Sequence, residues 1–481
     1  MKHAAVILAL SAGSAMGQAE RAVVHTDKYG ATTVREISPL DWSEPGTPAV
    51  QEDIEWHYAD AVSIPASVAL GDGGAESWVG HSLNDERMSK FTTSGSNVPD
   101  FMYSVLAENP ETVGVAAASE SSRCALLTNP ASGPITVRWF TDTNGNTPVG
   151  SFSFQSQYTA CSERSIAVNA DGTRVAATAY DGTDTELILF NGTGVVLGSM
   201  TIPGFSLRID MDDSGNRVVV TAGAVARVID TTTMTEEYAL AVSGAGGYFR
   251  ISRDGSAIAA GGFNVRAARE IEGVWQQVYS GTGSQDWFGA VSLSGDGLTL
   301  FAVSHDYGDG YLTNEHRIVD LTDGSVVMTS SYTGSGGLQN SVIASEVNGD
   351  GTVFVAASWG DAANTQPEVR VYDRDLNLID SLDTDGSPFA LDMSSDGSHI
   401  LVGCKAVHAN DIGSGGDTYA FELPGSDCIA DVNGDGSVTP ADFTAWINAF
   451  NNNLPGCDQN DDNACTPADF TAWINNFNAG C

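Results

Sequence analysis

The chain has 481 residues, of which 61 are Asp or Glu and only 21 are Lys or Arg, so its formal net charge at pH 7 is −40. A surface of this charge repels nucleic acids and anionic membranes, which excludes both as partners. It suits a saline or calcium-rich medium, where counterions relieve the self-repulsion.

The N-terminus predicts a secretory signal peptide over residues 1–19. Met1-Lys2-His3 is a basic tip, the run from Ala4 to Ala12 is apolar, and Gly17-Gln18-Ala19 is a small-residue cleavage site. The apolar run is too short to span a membrane, and no later stretch approaches 18 apolar residues. We therefore expect a secreted or cell-surface protein without a transmembrane segment.

Residues 61–425 contain a repeated phrase that predicts a β-propeller. Six segments read apolar-x-Ser/Asn/Asp-x-Asp/Ser-Gly and are each followed by a strand-like run. Their final glycines lie 40 to 54 residues apart and are Gly172, Gly215, Gly255, Gly297, Gly351 and Gly397. Asp-Gly between alternating strands is a strong hairpin signal, and four-stranded units repeated every 40 to 50 residues are typical of propeller blades.

Weaker units extend this count to seven or eight blades. Two precede the six, from about Ile64 to Tyr103 and from about Val113 to Phe154. The final unit, Leu391 to Leu423, has only about three strands. We expect part of the N-terminal segment 20–60, a strand from around Ala22 to Val34, to complete it and close the ring.

The sequence of residues 61–425 predicts the fold of this segment more clearly than its activity. The aspartates of the repeated turns are interpreted as structural, because the same residue recurs at the same turn in every repeat. His81 precedes the polar run Asp85-Glu86-Arg87-Met88. This cluster is interpreted either as a small functional site or as a solvated loop. We predict no catalytic residue. The Ser-x-Asp-Gly phrases resemble the repeats of bacterial lactonase-like and Tol-type propellers, a resemblance that implies fold and not function.

The C-terminal region contains one unit twice. Thr439 to Asn451 recurs 27 residues later as Thr466 to Asn478, with Ala449 replaced by Asn476. Thr-Pro-Ala-Asp predicts a capped helix start in both copies. The apolar stripe that follows, which includes Phe443 and Trp446, either packs against its copy or binds a partner.

Each copy follows an acidic stretch with the ligand spacing of a twelve-residue calcium loop, in which positions 1, 3, 5, 7 and 12 supply oxygen atoms. Loop one offers Asp431, Asn433, Asp435, the carbonyl of Ser437, and Asp442. Loop two offers Asp458, Asn460, Asp462, the carbonyl of Ala464, and Asp469. Gly436 permits the turn of loop one, and Asn463 replaces it in loop two. We expect one Ca²⁺ in each loop, bound more weakly in loop two. The alternative is an acidic turn without metal.

At these residues the segment 426–481 resembles a type I dockerin, of the bacterial variant that opens with a Cys and closes on Gly-Cys. The resemblance implies calcium-dependent folding and docking onto a cohesin-like partner on a scaffold or cell surface. It places recognition at loop positions 10 and 11 and in the following helix, which correspond to Pro440, Ala441, Trp446, Pro467, Ala468 and Trp473. Dockerins commonly carry small hydroxyl residues at positions 10 and 11, and this chain does not.

Most of the seven cysteines should pair in an exported protein. The pseudo-twofold arrangement that the resemblance implies favours Cys428–Cys481, and Cys457–Cys465 would then clip loop two. Cys124–Cys161 is a further predicted pair, which leaves Cys404 as a buried thiol.

Two functions remain open at this stage. The first is a non-catalytic exported propeller that binds a glycan or a protein and is anchored by the calcium-dependent tail. The second is an extracellular carbohydrate-active enzyme, a polysaccharide hydrolase or lyase, carried by the same anchor. The body lacks a catalytic motif that would favour the second.

Overall fold

A computed structural model describes residues 54–479, with gaps at 94, 142–146, 207, 244–247, 283–285, 337–339, 362–364, 409–412, 424–429, 431, 433–437, 453 and 461–463. It also describes the backbone of an N-terminal hairpin in which β1 (Arg21–Thr26) pairs antiparallel with β2 (Thr32–Ile37). No helix in the described part of the chain is long and apolar enough to cross a membrane.

Eight four-stranded antiparallel sheets form the body, and each is one blade of a propeller. Strand β3 (Ile54–Asp60) precedes the first blade in the chain. Blade 1 consists of β4 (Ile64–Gly71), β5 (Glu76–Ser82), β6 (Arg87–Thr92) and β7 (Phe101–Ser104). Blade 2 consists of β8 (Pro110–Ala117), β9 (Arg123–Pro130), β10 (Thr136–Thr141) and β11 (Gly150–Ser153). Blade 3 consists of β12 (Ile166–Val168), β13 (Arg174–Tyr180), β14 (Asp184–Asn191) and β15 (Val196–Pro203). Blade 4 consists of β16 (Ile209–Met211), β17 (Arg217–Ala222), β18 (Val225–Asp230) and β19 (Thr235–Ala241).

The second half of the ring repeats the pattern. Blade 5 consists of β20 (Tyr248–Ile251), β21 (Ala257–Gly261), β22 (Asn264–Ile271) and β23 (Val274–Thr282). Blade 6 consists of β24 (Asp286–Leu293), β25 (Thr299–Asp306), β26 (Thr313–Asp320) and β27 (Ser325–Thr333). Blade 7 consists of β28 (Val342–Val347), β29 (Phe354–Ser358), β30 (Val369–Tyr372) and β31 (Leu378–Leu382). Blade 8 consists of β32 (Pro388–Met393), β33 (His399–Lys405) and β34 (Gly416–Glu422), with β3 as its fourth strand. Single 3-10 turns lie at Asp72–Gly74 and Leu106–Glu108 in the body.

The first strand of each blade lies innermost, and consecutive inner strands contact one another around the ring, from β32 back to β4. Apolar clusters fill the wedges between neighbouring blades. Between blades 2 and 3, for example, Trp139 packs edge-on against Phe190 with ring centroids 5.1 Å apart. The predicted seven- or eight-bladed ring is therefore eight-bladed.

Strand β3 closes the ring by pairing antiparallel with β34, so that Ile54 lies opposite Phe421 and Asp60 opposite Gly416. The closing strand thus lies in the predicted N-terminal segment, but it is not the predicted one. The stretch from Ala22 to Val34 instead contributes to the β1–β2 hairpin. Both stretches have strand-like sequences, and only pairing with residues far away in the chain distinguishes them.

The repeated turns are hydrogen-bonded units, as predicted. In blade 5, Ser252 Oγ donates to Asp254 Oδ1 (2.6 Å), which also accepts Ser256 N–H (2.9 Å), and Ala257 N–H donates to Ser252 Oγ (2.9 Å). Gly255 takes the left-handed backbone that the turn requires, with φ +75°. The aspartates that accept the same backbone N–H in other blades are Asp171, Asp296, Asp350 and Asp396.

These turns also join blade to blade on one face of the ring, which we call the turn face. At most junctions, a backbone N–H in one blade donates to a backbone carbonyl in the next. The pairs are Gly73–Ser119, Glu120–Ala170, Ala170–Asp213, Asp213–Arg253, Asp254–Gly295, Gly295–Gly349 and Gly349–Ser395, at 2.6–3.1 Å. At the junction of blades 8 and 1, Leu70 N–H donates to Asp392 Oδ2 (2.7 Å). The opposite face, where the segments between blades run, is the loop face.

A buried polar network at the loop-face end of β3 explains the His81 cluster. Asp60 Oδ1 accepts the N–H groups of Val62 (2.9 Å) and Ser63 (3.1 Å), and Asp60 Oδ2 contacts Arg87 and the Ser63 hydroxyl. His81 Nδ1 lies 3.5 Å from the same oxygen, and the His81 ring is inaccessible to solvent. The cluster fastens the closing strand to blade 1 and is neither a solvated loop nor an open site.

The C-terminal tail contains two helices of equal length, α1 (Pro440–Asn452) and α2 (Pro467–Ala479), and a 3-10 turn at Pro455–Cys457. The predicted capping is present in both copies. Thr439 N–H donates to Asp442 Oδ2 (2.8 Å), and Thr466 N–H donates to Asp469 Oδ2 (2.6 Å).

The two helices exchange matching contacts, as a pseudo-twofold pair does. Trp446 Nε1 donates to the carbonyl of Cys457, and Trp473 Nε1 donates to the carbonyl of Ala430, both at 3.2 Å. Each carbonyl immediately precedes one predicted calcium loop. The stripe therefore packs against its copy in part: Phe443 lies 5.0 Å from Trp473 between ring centroids, whereas Ile447 and Ile474 are exposed.

The cysteines confirm two predictions and correct one. Cys457 and Cys465 form a disulfide with Cα atoms 5.5 Å apart, and Cys404 is a free, fully buried thiol. The predicted Cys124–Cys161 disulfide is not formed. Both are free thiols buried in different wedges, Cys124 between blades 1 and 2 and Cys161 between blades 2 and 3. The predicted Cys428–Cys481 pair lies outside the described residues.

Candidate functional site

On the loop face the central channel widens into a cavity of about 1330 Å³. The channel below it narrows to two smaller spaces of about 240 Å³ and 170 Å³. Drug-sized ligands occupy pockets of roughly 300–1,000 Å³, so the upper cavity has room for an oligomeric ligand.

Aromatic side chains surround most of this cavity. They project from inner strands and loop-face connections of blades 4 to 8, and they are Phe205, Tyr248, Phe263, Trp287, Tyr307, Tyr311, Trp359 and Phe389. Four are strongly exposed for large apolar residues: Phe205 51%, Phe263 49%, Tyr307 42% and Tyr311 37%. Apolar surface concentrated in a concave site marks a place for a ligand.

The rings are held at fixed angles by one another. Phe263 meets the face of Trp287 edge-on, with centroids 4.7 Å apart and planes at 89°, and lies 6.2 Å from Tyr307. Such edge-to-face pairs stabilise one arrangement of the rings. The aromatic wall is therefore largely ordered before any ligand arrives.

A second aromatic pair lies across blades 7 and 8. Trp359 and Phe389 have ring centroids 6.5 Å apart. The Lys405 ammonium lies 4.9 Å from the Trp359 centroid and 5.7 Å from that of Phe389, which is within cation–π range. This pair extends the aromatic surface to the far side of the cavity.

The floor of the cavity is cationic. Arg164 precedes the inner strand of blade 3 and Arg208 precedes that of blade 4, and both line the cavity and the channel below it. Ile209 N–H donates to the Arg164 carbonyl (2.9 Å), which holds the two connections side by side. The Arg208 guanidinium lies 4.6 Å from the centroid of the Tyr248 ring.

Below the floor, an ion pair crosses the channel from Arg250 of blade 5 to Glu346 of blade 7. Burial raises the pKa of Glu346 to about 7, although Arg250 opposes the shift. Burial disfavours the charge of Arg250, but Glu346 and the neighbouring carboxyls of Asp210 and Asp392 outweigh it and hold its pKa above the usual value. The pair separates the cavity from the turn-face end of the channel.

His305, at the end of β25, is another titratable group of the cavity wall. Burial lowers the pKa of His305 to about 4, so its imidazole is neutral at pH 7. The ring packs 5.3 Å from Tyr311, between centroids. From this position the imidazole of His305 supports the aromatic wall by packing against Tyr311.

Two further clusters have the composition of metal ligands and lie at the closing blade, namely Glu55–His399–Glu422 and His57–Asp385–Asp417. In the second, His57 Nε2 lies 2.7 Å from Asp417 Oδ1 and its ring stacks on Tyr419 at 4.5 Å. These contacts account for the arrangement as a fastening of β3 to β34. The sequence did not indicate either cluster, because its members come from opposite ends of the propeller segment.

The structure describes only some of the predicted calcium ligands of the tail. Of loop one, Asp431, Asn433, Asp435 and Ser437 lie outside the described residues, as does Asp462 of loop two. The described Asp442 and Asp469 are both inaccessible to solvent. Asp469 Oδ1 also accepts Gln459 N–H (3.0 Å). Residues 427–481 contain no Lys, Arg or His, so no basic side chain of the tail neutralises these carboxylates.

The predicted partner-binding residues divide into two groups. Pro440, Ala441, Pro467 and Ala468 are exposed at the helix starts. Trp446 and Trp473 are only 5% and 6% exposed, because both lie in the interface between the helices. The two tryptophans form the core of the tail, and partner binding by these six residues stays a prediction.

No family model and no curated protein matches the chain. A solved structure to which it is similar is the β-propeller domain of Cps50 (Swd1) from Myceliophteria thermophila, with 12% sequence identity and a TM-score of 0.44. The similarity covers 64% of this chain and 96% of that one.

Proposed function

We propose that this protein is an exported, non-catalytic β-propeller that binds a glycan in the loop-face cavity and is held to a scaffold by its calcium-dependent tail. The aromatic wall of the cavity is the observation that carries the proposal. Sugar rings present flat faces of C–H groups that pack on aromatic rings, while their hydroxyl groups remain hydrated at the edges.

The shape of the site favours a glycan over the surface of a folded protein. Protein partners usually bury about 800 Å² of fairly flat surface on each side. Here the exposed rings line a concave space, and Phe263, Trp287 and Tyr307 are set at steep angles to one another. A chain of sugars can follow such a surface ring by ring.

The cavity also supplies groups for the competing enzymatic function. Glu111 and Glu163 both line it, and glycosidases use two carboxyl groups. Burial raises the pKa of Glu163, although Arg164 and Arg208 oppose the shift. A hydrolase would lose turnover in Glu163→Gln, whereas a binding protein has no turnover to lose.

The tail suits a calcium-dependent anchor. The carboxylates of Asp442 and Asp469 are inaccessible to solvent at the twelfth position of each loop, and carboxylate oxygens are the ligands that Ca²⁺ prefers. Asp431, Asn433, Asp435, the Ser437 carbonyl and Asp442 would hold one ion, and Asp458, Asn460, Asp462, the Ala464 carbonyl and Asp469 a second. The exposed Pro-Ala pairs at the helix starts would then face the cohesin-like partner.

The glycan site is tested by titration calorimetry of the whole protein against a panel of soluble polysaccharides, with reducing ends measured in parallel. We expect saturable binding without release of reducing ends. Trp287→Ala should weaken binding about 10-fold, which corresponds to the loss of one stacked ring. The matched control is Trp275→Ala, on the outer strand of blade 5, which should bind normally. Release of reducing ends that Glu163→Gln abolishes would establish the enzyme instead.

The anchor is tested separately on the whole protein by calcium titration and by limited proteolysis in calcium or chelator. We expect two ions per chain and a tail that is cut rapidly only in chelator. Asp431→Ala/Asp435→Ala should remove one ion, whereas Asp375→Ala, in an exposed turn of blade 7, should remove none. A tail equally resistant in chelator would refute the calcium assignment.

A further inference from the structure

Two arginines, Arg164 and Arg208, lie at the floor of the loop-face cavity. Among the described residues, neither Arg164 nor Arg208 forms an ion pair, although Asp and Glu outnumber Lys and Arg almost threefold. The described arginines that pair with carboxylates do not line this cavity, and they include Arg87, Arg138, Arg217, Arg227, Arg250 and Arg317.

The backbone at Arg164 is held in place, and the guanidinium of Arg208 is stacked on an aromatic ring. The Ile209–Arg164 backbone hydrogen bond brings the two connections together, and Tyr248 supports one face of the Arg208 guanidinium. A guanidinium that is stacked on one face can still donate from the N–H groups along its edge. Two guanidinium groups at the base of a cavity can donate hydrogen bonds to the oxygen atoms of one anion.

The acidic groups near the floor compensate the two arginines only in part. Glu346 is committed to Arg250, and Glu111 is exposed at the rim. Glu163 lines the same cavity without an ion pair to a described basic residue, and its burial raises its pKa. Burial also lowers the pKa of Arg164, and the neighbouring positive charges of Arg208 and Arg250 add to this shift. An anionic group bound between the arginines would offset the repulsion between their positive charges.

We propose that the ligand is an acidic glycan, whose carboxylate or sulfate group contacts Arg164 and Arg208 while its sugar rings lie on the aromatic wall. This inference rests on the proposed glycan-binding function and narrows its ligand class. The site places a cationic floor below an aromatic wall. A neutral glycan would contact only the aromatic wall, and a small inorganic anion would contact only the cationic floor.

The chain's overall charge gives the site a further property. A surface with a net charge of −40 repels acidic polysaccharides everywhere except where positive charge is concentrated. The repulsion is screened by salt over about 8 Å at physiological ionic strength, whereas contacts within the cavity are screened much less. The site therefore suits a saline medium, in which approach is permitted and the buried contact persists.

The experiment is titration calorimetry of the whole protein at physiological ionic strength, about 0.15 M salt. The probes are oligogalacturonate, a sulfated galactan oligosaccharide and a neutral glucan oligosaccharide of equal length. We expect at least one acidic probe to bind at least about 10-fold more tightly than the neutral probe. The two acidic probes distinguish carboxylate from sulfate.

Substitution of the arginines tests the assigned contact. Arg208→Gln and Arg164→Gln should each weaken acidic binding about 10- to 100-fold and leave any neutral binding unchanged. Arg227→Gln, on blade 4 but paired with Glu236 outside the cavity, is the matched control and should bind all probes normally.

The outcomes separate this inference from the proposed function. Equal binding of acidic and neutral probes, with Trp287→Ala weakening both, would refute the acidic ligand and retain glycan binding. Absence of binding to all three probes would count against both. If Arg208→Gln unfolds the protein, the milder Arg208→Lys keeps the charge but loses the paired N–H groups, and binding unchanged in that variant would overturn the assigned contact.

Discussion

Removing the carboxylate of Asp60 should open the ring at its closure. Asp60 ends β3, the only strand that the N-terminal side of the described chain contributes to blade 8, and its side chain is 5% exposed. It accepts hydrogen bonds from Val62 and Ser63 and pairs with Arg87, whose side chain is 6% exposed. Asp60→Ala leaves this guanidinium buried with Asp85 as its remaining carboxylate partner among the described residues.

Breaking a buried ion pair by removing one partner costs about 3–5 kcal/mol. Because Arg87 keeps Asp85, we expect Asp60→Ala to lower the free energy of unfolding by about 3 kcal/mol, the lower end of this range, measured by denaturant titration with tryptophan fluorescence. Proteolysis should then cut near residues 54–60 before it cuts any other blade. Asp375→Ala removes an exposed turn aspartate and serves as the control.

The same residue gives a dependence on pH. Burial alone would raise the pKa of Asp60, but hydrogen bonds from His81, Ser63 and the backbone outweigh it and hold the pKa far below the usual 3.8. The stabilisation is therefore complete above about pH 4 and is lost as the pH falls below it. Asp60→Asn should flatten this part of the stability curve. An Asp60→Ala variant as stable as the Asp375→Ala control at pH 7, with unchanged acid sensitivity, would refute the role of Asp60 in closure.

Three further outcomes test the fold. Asp254→Ala should lower stability by about 1 kcal/mol through its lost turn hydrogen bonds and leave ligand affinity unchanged, as measured by unfolding and calorimetry. Burial lowers the pKa of His316 from 6.5 to about 3, so this side chain is neutral in the folded protein. In the unfolded chain it becomes protonated below about pH 6.5, so the free energy of unfolding should fall as the pH decreases from 6.5 to 3. His316→Phe should reduce this pH dependence in an acid titration. Because burial raises the pKa of the thiols of Cys124, Cys161 and Cys404, all three should resist alkylation in the native state and react after denaturation, as read by mass spectrometry.

The sequence predicts the blades well because each blade is a local unit. Four strands joined by short turns need only neighbouring residues, and the Asp254 turn contains its own hydrogen-bond donors and acceptors. The clip between Cys457 and Cys465 is local in the same way. The pair Cys124–Cys161 fails because the two residues, although close in the sequence, lie in successive wedges.

Closure and the candidate site were not predictable by the same reasoning, because ring geometry creates them. The strand at Ala22–Val34 and the strand at Ile54–Asp60 are equally plausible by pattern, and the buried contacts of Asp60 decide between them. Phe263, Trp287 and Trp359 belong to no recognisable sequence motif, and they are far apart in the chain. Only the arrangement of the blades around one axis brings these rings to a common cavity.

One irregularity in the repeat does indicate where the site lies. The turn face is bonded from blade to blade through its backbone, so a change in turn length there would break contacts on both sides. The described connections of the loop face also exchange backbone hydrogen bonds, such as Ile209 N–H to the Arg164 carbonyl, but their lengths vary from blade to blade while the sheets stay four-stranded. In the longest repeat, the 54 residues from Gly297 to Gly351, the additional residues lie in the connections on this face. That repeat contributes Tyr307 and Tyr311 to the aromatic wall. In a propeller built from regular hairpins, departures from the repeat length therefore identify the face on which ligand-binding side chains accumulate.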